Sequence, residues 1–137
     1  MALYPEEPLL RIQLPVLLAE KGQFDEALAE LERVSSSDRD VDRLAASGYI
    51  HALAGHRSEA MRQIERLDRL DTPDKDLGIA MILVGLGEHE TAVGRLVRLA
   101  EANRLFAGLS LNRYHWTAPL RADPRYKSIL RSVGLEP

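Results

Sequence analysis

The sequence has no cysteine and few aromatic residues. Of its 137 residues, none is Cys and only 5% are Phe, Trp or Tyr. The lack of cysteine excludes disulfide bonds, a thiol nucleophile and a cysteine-ligated metal. It also suits a reducing compartment, so we expect a cytoplasmic protein. The shortage of aromatic side chains, set against an abundance of Leu, Ala, Arg and Glu, favours helices over strands.

Long hydrophobic runs are missing too. The longest apolar run near the amino terminus is Leu14–Ala19, which is far shorter than the about 20 residues needed to cross a bilayer. The first residues also lack the basic segment and the small-residue cleavage site of a signal peptide. We therefore expect neither a membrane partner nor export.

Charge is distributed unevenly along the chain. Residues 1–90 hold 10 basic and 18 acidic side chains, whereas residues 91–137 hold 8 basic and 3 acidic ones, within a net charge of −3. The basic C-terminal third is typical of a surface that meets an acidic partner, and nucleic acid is one candidate. However, its arginines lack the interleaved aromatic residues of a base-stacking surface, which disfavours nucleic acid.

The strongest positive signal is an internal repeat of 32 to 33 residues. Three stretches align: Leu18–Val34, His51–Leu67 and Leu83–Leu99. Each has a glycine followed five positions later by an alanine, at Gly22 and Ala27, Gly55 and Ala60, and Gly87 and Ala92. Each stretch is typical of a helix end, a tight turn at the glycine and a second, amphipathic helix. A repeat of this period built from paired helices indicates an α-solenoid.

The predicted organisation is three helical hairpins after a linker at residues 1–8. The hairpins cover about 9–36, 41–70 and 73–102. Their helices are predicted at 9–21 and 24–35, at 41–54 and 58–70, and at 76–86 and 90–102. The helix at 76–86 is apolar nearly all round, so it should be buried on both sides. Close backbone packing would explain its glycines.

Residues 105–137 are predicted to cap the last hairpin. We expect a short helix at 105–111, irregular chain with the single Trp at 112–119, and a final helix at 124–133. Asp123 before Pro124 is typical of a helix start, because Asp is a good N-cap and Pro suits the first helical position. An α-solenoid needs such a cap over its last exposed face.

These repeats resemble the tetratricopeptide repeat family. That family has a pattern of about 34 residues, with small residues where the paired helices cross, a glycine before the turn and an aromatic residue after it. The segment GQFDEA at 22–27 is similar to this pattern, whereas Arg57 and His89 replace the aromatic residue in the later copies. At the small position of the first helix, the three copies have Pro15, Gly48 and Ala80.

The C-terminal segment is similar to the end of tetratricopeptide domains that close bacterial multidomain regulators. The matching motifs are Gly85-Leu86-Gly87, Pro119-Leu120-Arg121 and Asp123-Pro124-Arg125-Tyr126. In such regulators the upstream part is commonly a nucleotide cyclase, a kinase or a winged-helix DNA-binding domain. The resemblance implies an all-α fold, namely a right-handed α-solenoid of three hairpins plus a capping helix. It also implies a non-catalytic protein–protein interaction module, free-standing or the regulatory part of such a protein.

In that family the first helix of each pair lines a concave groove that receives a peptide. The resemblance places nine residues there: Ile12, Gln13, Val16, Ala45, Tyr49, Ala52, Leu77, Met81 and Val84. The alternative is that these residues belong to the core or are covered by the C-terminal segment. The Lys and Asn pattern that clamps a terminal carboxylate in chaperone-binding members is absent, so we expect apolar anchors in the partner.

Two further hypotheses concern small ligands and self-association. The chain could be a ligand-sensing domain that binds a small molecule or peptide between the groove and the cap. The C-terminal segment also has a candidate basic surface, made of Arg113, Arg121, Arg125, Lys127 and Arg131. This surface would meet an acidic one on another copy or on an upstream domain, and the expected form is weak, salt-sensitive association.

No arrangement of residues indicates catalysis, a metal or a cofactor. The four histidines are His51, His56, His89 and His115. They show no H-E-x-x-H or paired-ligand spacing, so we interpret them as solvated or packing residues. The serines at 35–37 have no neighbouring base pattern and fit a linker. Gly85-x-Gly87 follows a helix and lacks the lysine of a phosphate-binding loop. We therefore expect a protein that is not an enzyme.

Overall fold

The computed structural model describes residues 8–33, 41–72, 75–103 and 115–133, with side chains from residue 14 in the first range and residue 116 in the last. All regular structure in these ranges is helical, with no strand, which confirms the all-α prediction. No helix in this part of the chain is long and apolar enough to cross a bilayer.

Seven α-helices and one 3-10 helix make up the described structure. They are α1 (Pro8–Glu20), α2 (Phe24–Glu32), α3 (Val41–Leu53), α4 (Arg57–Asp68), α5 (Lys75–Gly85), α6 (His89–Ala102), the 3-10 helix (His115–Leu120) and α7 (Pro124–Ser132). The six predicted hairpin helices are confirmed to within three residues at each end. The helix predicted at 105–111 lies outside the described residues.

The prediction of irregular chain at 112–119 is wrong where the structure describes it, because His115–Leu120 forms a 3-10 helix. Residues 112–114 lie outside the described ranges. Trp116, Thr117 and Leu120 are at most 4% exposed. Thr117 and Leu120 are three positions apart and therefore share one side of a helix with three residues per turn. This short helix contacts α5 and α6, so tertiary burial stabilises a turn that local sequence does not mark.

The same backbone turn closes all three hairpins. A glycine with φ between 81° and 85° follows α1, α3 and α5: Gly22, Gly55 and Gly87. Its N–H bonds the carbonyl three residues back, and the N–H of the next residue bonds the carbonyl five residues back, at 2.8 to 3.2 Å. This pair of bonds is the Schellman motif, which favours glycine because other residues are strained at positive φ.

The residue after each turn glycine serves both helices of its hairpin. It completes the Schellman motif of the first helix, and its carbonyl accepts the first hydrogen bond of the second helix at 2.9 to 3.1 Å. These residues are Gln23, His56 and Glu88, and their backbone angles are nearly identical, with φ from −95° to −90° and ψ from 67° to 70°. Each hairpin therefore turns in the same geometry.

Helices that are close in sequence pack against one another. The first helices of the hairpins, α1, α3 and α5, contact one another in that order, and each contacts its own hairpin partner. In addition, α2 contacts α3, and α4 contacts α5. At the C-terminal end, α7 packs on α6. The layer formed by α1, α3 and α5 is therefore central to the described structure.

The interface between α3 and α5 is tight because glycines face it. A methyl group added at Gly48 would lie 2.3 Å from Cδ1 of Ile82, and one added at Gly85 would lie 3.0 Å from Cβ of Ala52. Residues 76–84 of α5 are all buried, which confirms the prediction of a helix covered on both sides. This packing offsets the low helix propensity of glycine, about 1 kcal/mol per residue relative to Ala. The repeated alanines are fully buried as well: Ala27, Ala60 and Ala92.

Candidate functional site

The residues predicted to line a peptide groove are buried. Seven of the nine have described side chains, and all seven are between 4% and 9% exposed: Val16, Ala45, Tyr49, Ala52, Leu77, Met81 and Val84. Ile12 and Gln13 lie in α1, but their side chains fall outside the described residues. The seven lie on α1, α3 and α5, which pack side by side. This placement is the one expected of core or covered residues, and their use by a peptide stays a prediction.

Tyr49 connects the three helices of that layer. Its hydroxyl donates a hydrogen bond to Oε2 of Glu20 at the end of α1, at 2.9 Å. Its ring lies against the end of α5, where a methyl group added at Gly85 would be 3.0 Å from Cδ1 of Tyr49. Burial, together with the hydrogen bond to Glu20, raises the pKa of the Tyr49 phenol above its usual value. Tyr49 therefore holds the layer together as a protonated donor.

Four of the five residues of the predicted basic surface are described, and all four are exposed: Arg121, Arg125, Lys127 and Arg131. Arg113 lies outside the described residues. Helix α7 carries three of these cations and no acidic residue. It begins as predicted, since Oδ1 of Asp123 accepts a hydrogen bond from the N–H of Arg125 at 2.7 Å. That bond lowers the pKa of the Asp123 carboxyl. Tyr126 and Ile129 are buried, so they anchor α7 while its cations face solvent.

A cleft of about 560 Å³ lies between α6 and α7. Its apolar side chains are Val97, Ala100 and Ile129, and its polar ones are Glu101, Arg125, Ser128 and Ser132. Arg125 reaches from α7 to α6, where its Nη2 donates a hydrogen bond to the carbonyl of Glu90 at 3.1 Å. The cleft is therefore an apolar depression whose polar edge carries one cation, Arg125, and one anion, Glu101.

A second recess, of about 450 Å³, shares Arg125 with the cleft. Its other lining residues are on α6: Glu90, Thr91, Gly94, Arg95 and Arg98. The guanidinium of Arg95 is already bound, because it lies 3.1 Å from a carboxylate oxygen of Asp68 and 3.1 Å from one of Asp76. The hydrogen bond from Arg95 holds the pKa of Asp68 below its usual value. These carboxylates balance much of the positive charge, so the recess is not a strong anion site.

His51 and His56 form a side-chain contact that the spacing rules for metal ligands do not anticipate. Their Nδ1 atoms are 3.1 Å apart. His51 is half-buried in the last turn of α3, and His56 is exposed. Burial is the main reason that the pKa of His51 is lowered. The two are thus in contact in space, although no metal-ligand spacing in the sequence indicates the pair. The signal for this pairing is Gly55, since a Schellman motif brings together the residues five apart that flank its glycine.

The described part of the chain therefore has three candidate functional features. They are the buried layer around Tyr49, the cleft between α6 and α7, and the contact between His51 and His56. Within the described ranges, no group of three or more His, Asp or Glu side chains is placed to hold a metal ion. No family model, curated protein or solved structure matches this chain.

Proposed function

We propose that this chain is a non-catalytic protein–protein interaction module of the cytoplasm, with the architecture of a right-handed, tetratricopeptide-like α-solenoid. Two observations support the repeat architecture. The same glycine turn closes all three hairpins, and each first helix packs against the next one. Repeat proteins of this kind present extended surfaces to partners. In a bacterial regulator of the type that it resembles, such a module would be the C-terminal regulatory part.

The observation that carries the proposal is the cleft between α6 and α7. Val97, Ala100 and Ile129 give it an apolar lining, and Arg125 of the cationic helix α7 lines it as well. An apolar depression next to a cationic helix suits a partner that combines apolar anchors with acidic residues. In such interfaces the anchors supply most of the affinity, while the charges at the rim orient the partner and speed association.

The partner that fits this site best is an acidic, amphipathic helix of another protein. A third helix can lie along the depression between two packed helices and insert its apolar stripe, the helix-in-groove mode of recognition. Arg125 lines the cleft and is exposed, so an acidic side chain of the partner can reach it. Glu101 also lines the cleft and disfavours a partner that is acidic on every face.

The buried layer around Tyr49 is the less accessible alternative. A partner that contacted Tyr49 or Met81 would first have to uncover side chains that are 5% and 6% exposed. Uncovering apolar surface costs about 25 cal/mol per Å², and this cost would reduce the affinity. In the cleft, Ala100 and Ile129 are as buried, at 6% and 4% exposed, but Val97 is half-buried and Ser128 is exposed. A partner can therefore contact part of the cleft without opening the fold, which supports the cleft as the docking surface.

Selection from a displayed peptide library on the intact chain tests the proposal. We expect the enriched peptides to be acidic and to carry apolar residues at helical spacing. Ser128→Trp should weaken their binding at least tenfold, because the indole would occupy the cleft. Ser128 is exposed, so this variant should fold. Ser58→Trp, at an exposed position of α4, is the matched control and should keep the affinity.

Peptides that bind the Ser128→Trp variant as tightly as the wild type would overturn the assignment to the cleft. Loss of binding in a folded Met81→Arg variant, with full binding by Ser128→Trp, would instead place the partner on the buried layer. Helicity and melting temperature should be measured for every variant, so that unfolding is not mistaken for loss of an interface.

A second candidate function is the sensing of a small molecule in the same cleft. Its volume of about 560 Å³ falls within the range of about 300–1,000 Å³ that is usual for small-molecule sites. A thermal-shift screen of metabolites distinguishes the two functions. A compound that raises the melting temperature of the wild type but not of Ser128→Trp would favour sensing over peptide binding.

A further inference from the structure

The contact between His51 and His56 follows from the backbone of the second turn. In each hairpin, the N–H of the residue after the turn glycine bonds the carbonyl five residues back. This bond holds the two side chains next to each other, and apolar pairs often occupy these positions. The equivalent pairs of the other hairpins are Leu18 with Gln23 and Leu83 with Glu88. Only the second of the three turns carries histidine at both positions.

The two imidazoles meet through nitrogen atoms and not through ring faces. Their Nδ1 atoms are 3.1 Å apart, while the ring centroids are 5.4 Å apart and the planes are inclined by 41°. Two imidazole nitrogens at this separation share one hydrogen atom, since one Nδ1 must donate and the other must accept. The pair therefore presents, at a single point on the surface, two nitrogen atoms that can act as metal ligands.

We propose that His51 and His56 form a two-histidine site for a first-row divalent transition metal, with Zn²⁺, Ni²⁺ and Cu²⁺ as the ions it takes. Neutral imidazole is a preferred ligand of these ions. At metal–nitrogen distances of about 2.0–2.1 Å, two ligands at a right angle or a tetrahedral angle are about 2.9–3.4 Å apart. The observed separation of 3.1 Å lies within that range. The ion takes the place of the shared hydrogen between the two Nδ1 atoms. That hydrogen moves through solvent to Nε2 of the ring that carried it, so both rings stay neutral with an N–H at Nε2 and both Nδ1 lone pairs bind the ion.

The surroundings of the pair suit a cation that keeps part of its hydration shell. His51 is half-buried and fixed on α3, whereas His56 is exposed and can swing its ring off the line between the nitrogens to admit the ion. The carboxylate of Glu59, which also pairs with Arg62, is near enough to act electrostatically on His51. The nearest cation along the chain, Arg57, is paired with Glu88. Since no third ligand is placed there within the described residues, water completes the coordination.

This site is independent of the proposed binding of a partner, because it lies on the turn between α3 and α4 and not between α6 and α7. It has a thermodynamic consequence of its own. In the folded chain the turn holds the two nitrogens together, whereas the unfolded chain does not. A ligand that binds the folded state preferentially raises the stability, so metal should raise the melting temperature.

The test is thermal denaturation of the full chain, without a histidine tag, in the presence and absence of 1 mM NiCl₂ or ZnCl₂ at pH 7.5. We expect the metal to raise the melting temperature by about 2–5 °C and EDTA to reverse the rise. The rise should be lost in His51→Gln and in His56→Gln. It should persist in His89→Gln, the matched control, whose histidine is exposed next to the third turn.

Two results would overturn the site. One is the absence of any rise in the wild type, and the other is an equal rise in His56→Gln, which would assign the ion to other residues. His56 is exposed, so its replacement should not prevent folding even if replacement of the half-buried His51 does. Titration with Zn²⁺ monitored by NMR gives a second readout. The imidazole resonances of His51 and His56 should shift together, with saturation at one ion per chain, and those of His89 should stay in place.

Discussion

Arg95 on α6 and Asp76 on α5 form an ion pair in which Nη1 and Oδ1 are 3.1 Å apart. Asp76 is only 8% exposed, so its carboxylate depends on this partner. The same guanidinium binds Asp68, in the last turn of α4, through both of its terminal nitrogens at 3.1 Å each. Arg95 therefore connects α4, α5 and α6 by hydrogen bonds in addition to their apolar packing.

Arg95→Ala should lower the free energy of unfolding by about 2–4 kcal/mol, because removal of one partner leaves a buried charge uncompensated. Arg62→Ala is the control, since Arg62 forms an exposed pair with Glu59. This change should lower the free energy of unfolding by less than about 1 kcal/mol. Urea denaturation measures both values. Adding Asp76→Asn to Arg95→Ala should recover part of the loss. Equal effects of the two single changes would contradict the bridging role of Arg95.

The contribution of Asp68 should disappear in acid. Arg95 lowers the pKa of Asp68 in the folded chain below its ordinary value of 3.8, so the unfolded chain binds the proton more readily. Stability from this carboxylate is therefore fully present above about pH 5 and is lost as the pH falls through the folded pKa. The difference in unfolding free energy between the wild type and Asp68→Asn should narrow from pH 7 to pH 2.5. A constant difference over that range would show that the charge of Asp68 is not what stabilises the fold.

Two glycines in helices should respond in opposite ways to a methyl group. Gly48→Ala should destabilise the chain by about 1–2 kcal/mol, because the new Cβ would lie 2.3 Å from a core side chain, that of Ile82, and overpacking outweighs the gain in helix propensity. Gly94→Ala should stabilise it by about 0.5–1 kcal/mol, since nothing lies within 4 Å of its new Cβ. Melting temperatures of the two variants provide the comparison. A higher melting temperature in both variants would mean that α3 and α5 do not approach closely at Gly48.

Tyr49 variants separate the hydrogen bond from the packing of the ring. Tyr49→Phe should lower the free energy of unfolding by about 0.5–1.5 kcal/mol, because it removes only the hydrogen bond to the exposed carboxylate of Glu20. Tyr49→Ala should cost about 3–5 kcal/mol, because it opens a cavity between α1, α3 and α5. If Tyr49→Ala is nearly neutral in urea denaturation, the ring is a binding residue and not a core residue.

Self-association through the basic surface should depend on salt. The chain is negative over residues 1–90 and positive over residues 91–137, so the cationic α7 of one copy can meet the acidic part of another. We expect the weight-average mass in sedimentation to rise with concentration at 20 mM salt and to fall to that of the monomer at 500 mM, where screening is strong. A double change, Lys127→Glu with Arg131→Glu, should abolish the association at low salt. A single mass at both salt concentrations would leave this surface without a role in self-association.

Local sequence was sufficient to predict the hairpins. The turn glycines Gly22, Gly55 and Gly87 all have the positive φ that only glycine adopts without strain, and the apolar stretch of α5 is buried as its composition indicates. Asp123 caps α7 as expected of an Asp-Pro pair. These features depend on neighbours within one turn of helix, which is why a single sequence contains them.

Features that depend on distant residues were not predictable in the same way. Trp116 and Leu120 lie in a 3-10 helix that packs against α5 and α6. No local sequence pattern predicts that packing. The sequence does not distinguish Arg95 from the other arginines, because its contacts with Asp68 and Asp76 depend on the packing of three helices. The pair of His51 and His56 is an intermediate case, because the backbone turn that unites them was predicted although the contact was not.

The residue after each turn glycine forms hydrogen bonds with both helices of its hairpin. The number of residues in the turn is therefore fixed. Within each hairpin, three residues separate the two helices. One residue inserted next to Gly22, Gly55 or Gly87 would rotate the second helix by about 100° about its axis. The fully buried alanine of that helix would then leave the helix crossing and a polar side chain would take its place. An insertion inside any of the three turns should therefore destabilise the chain.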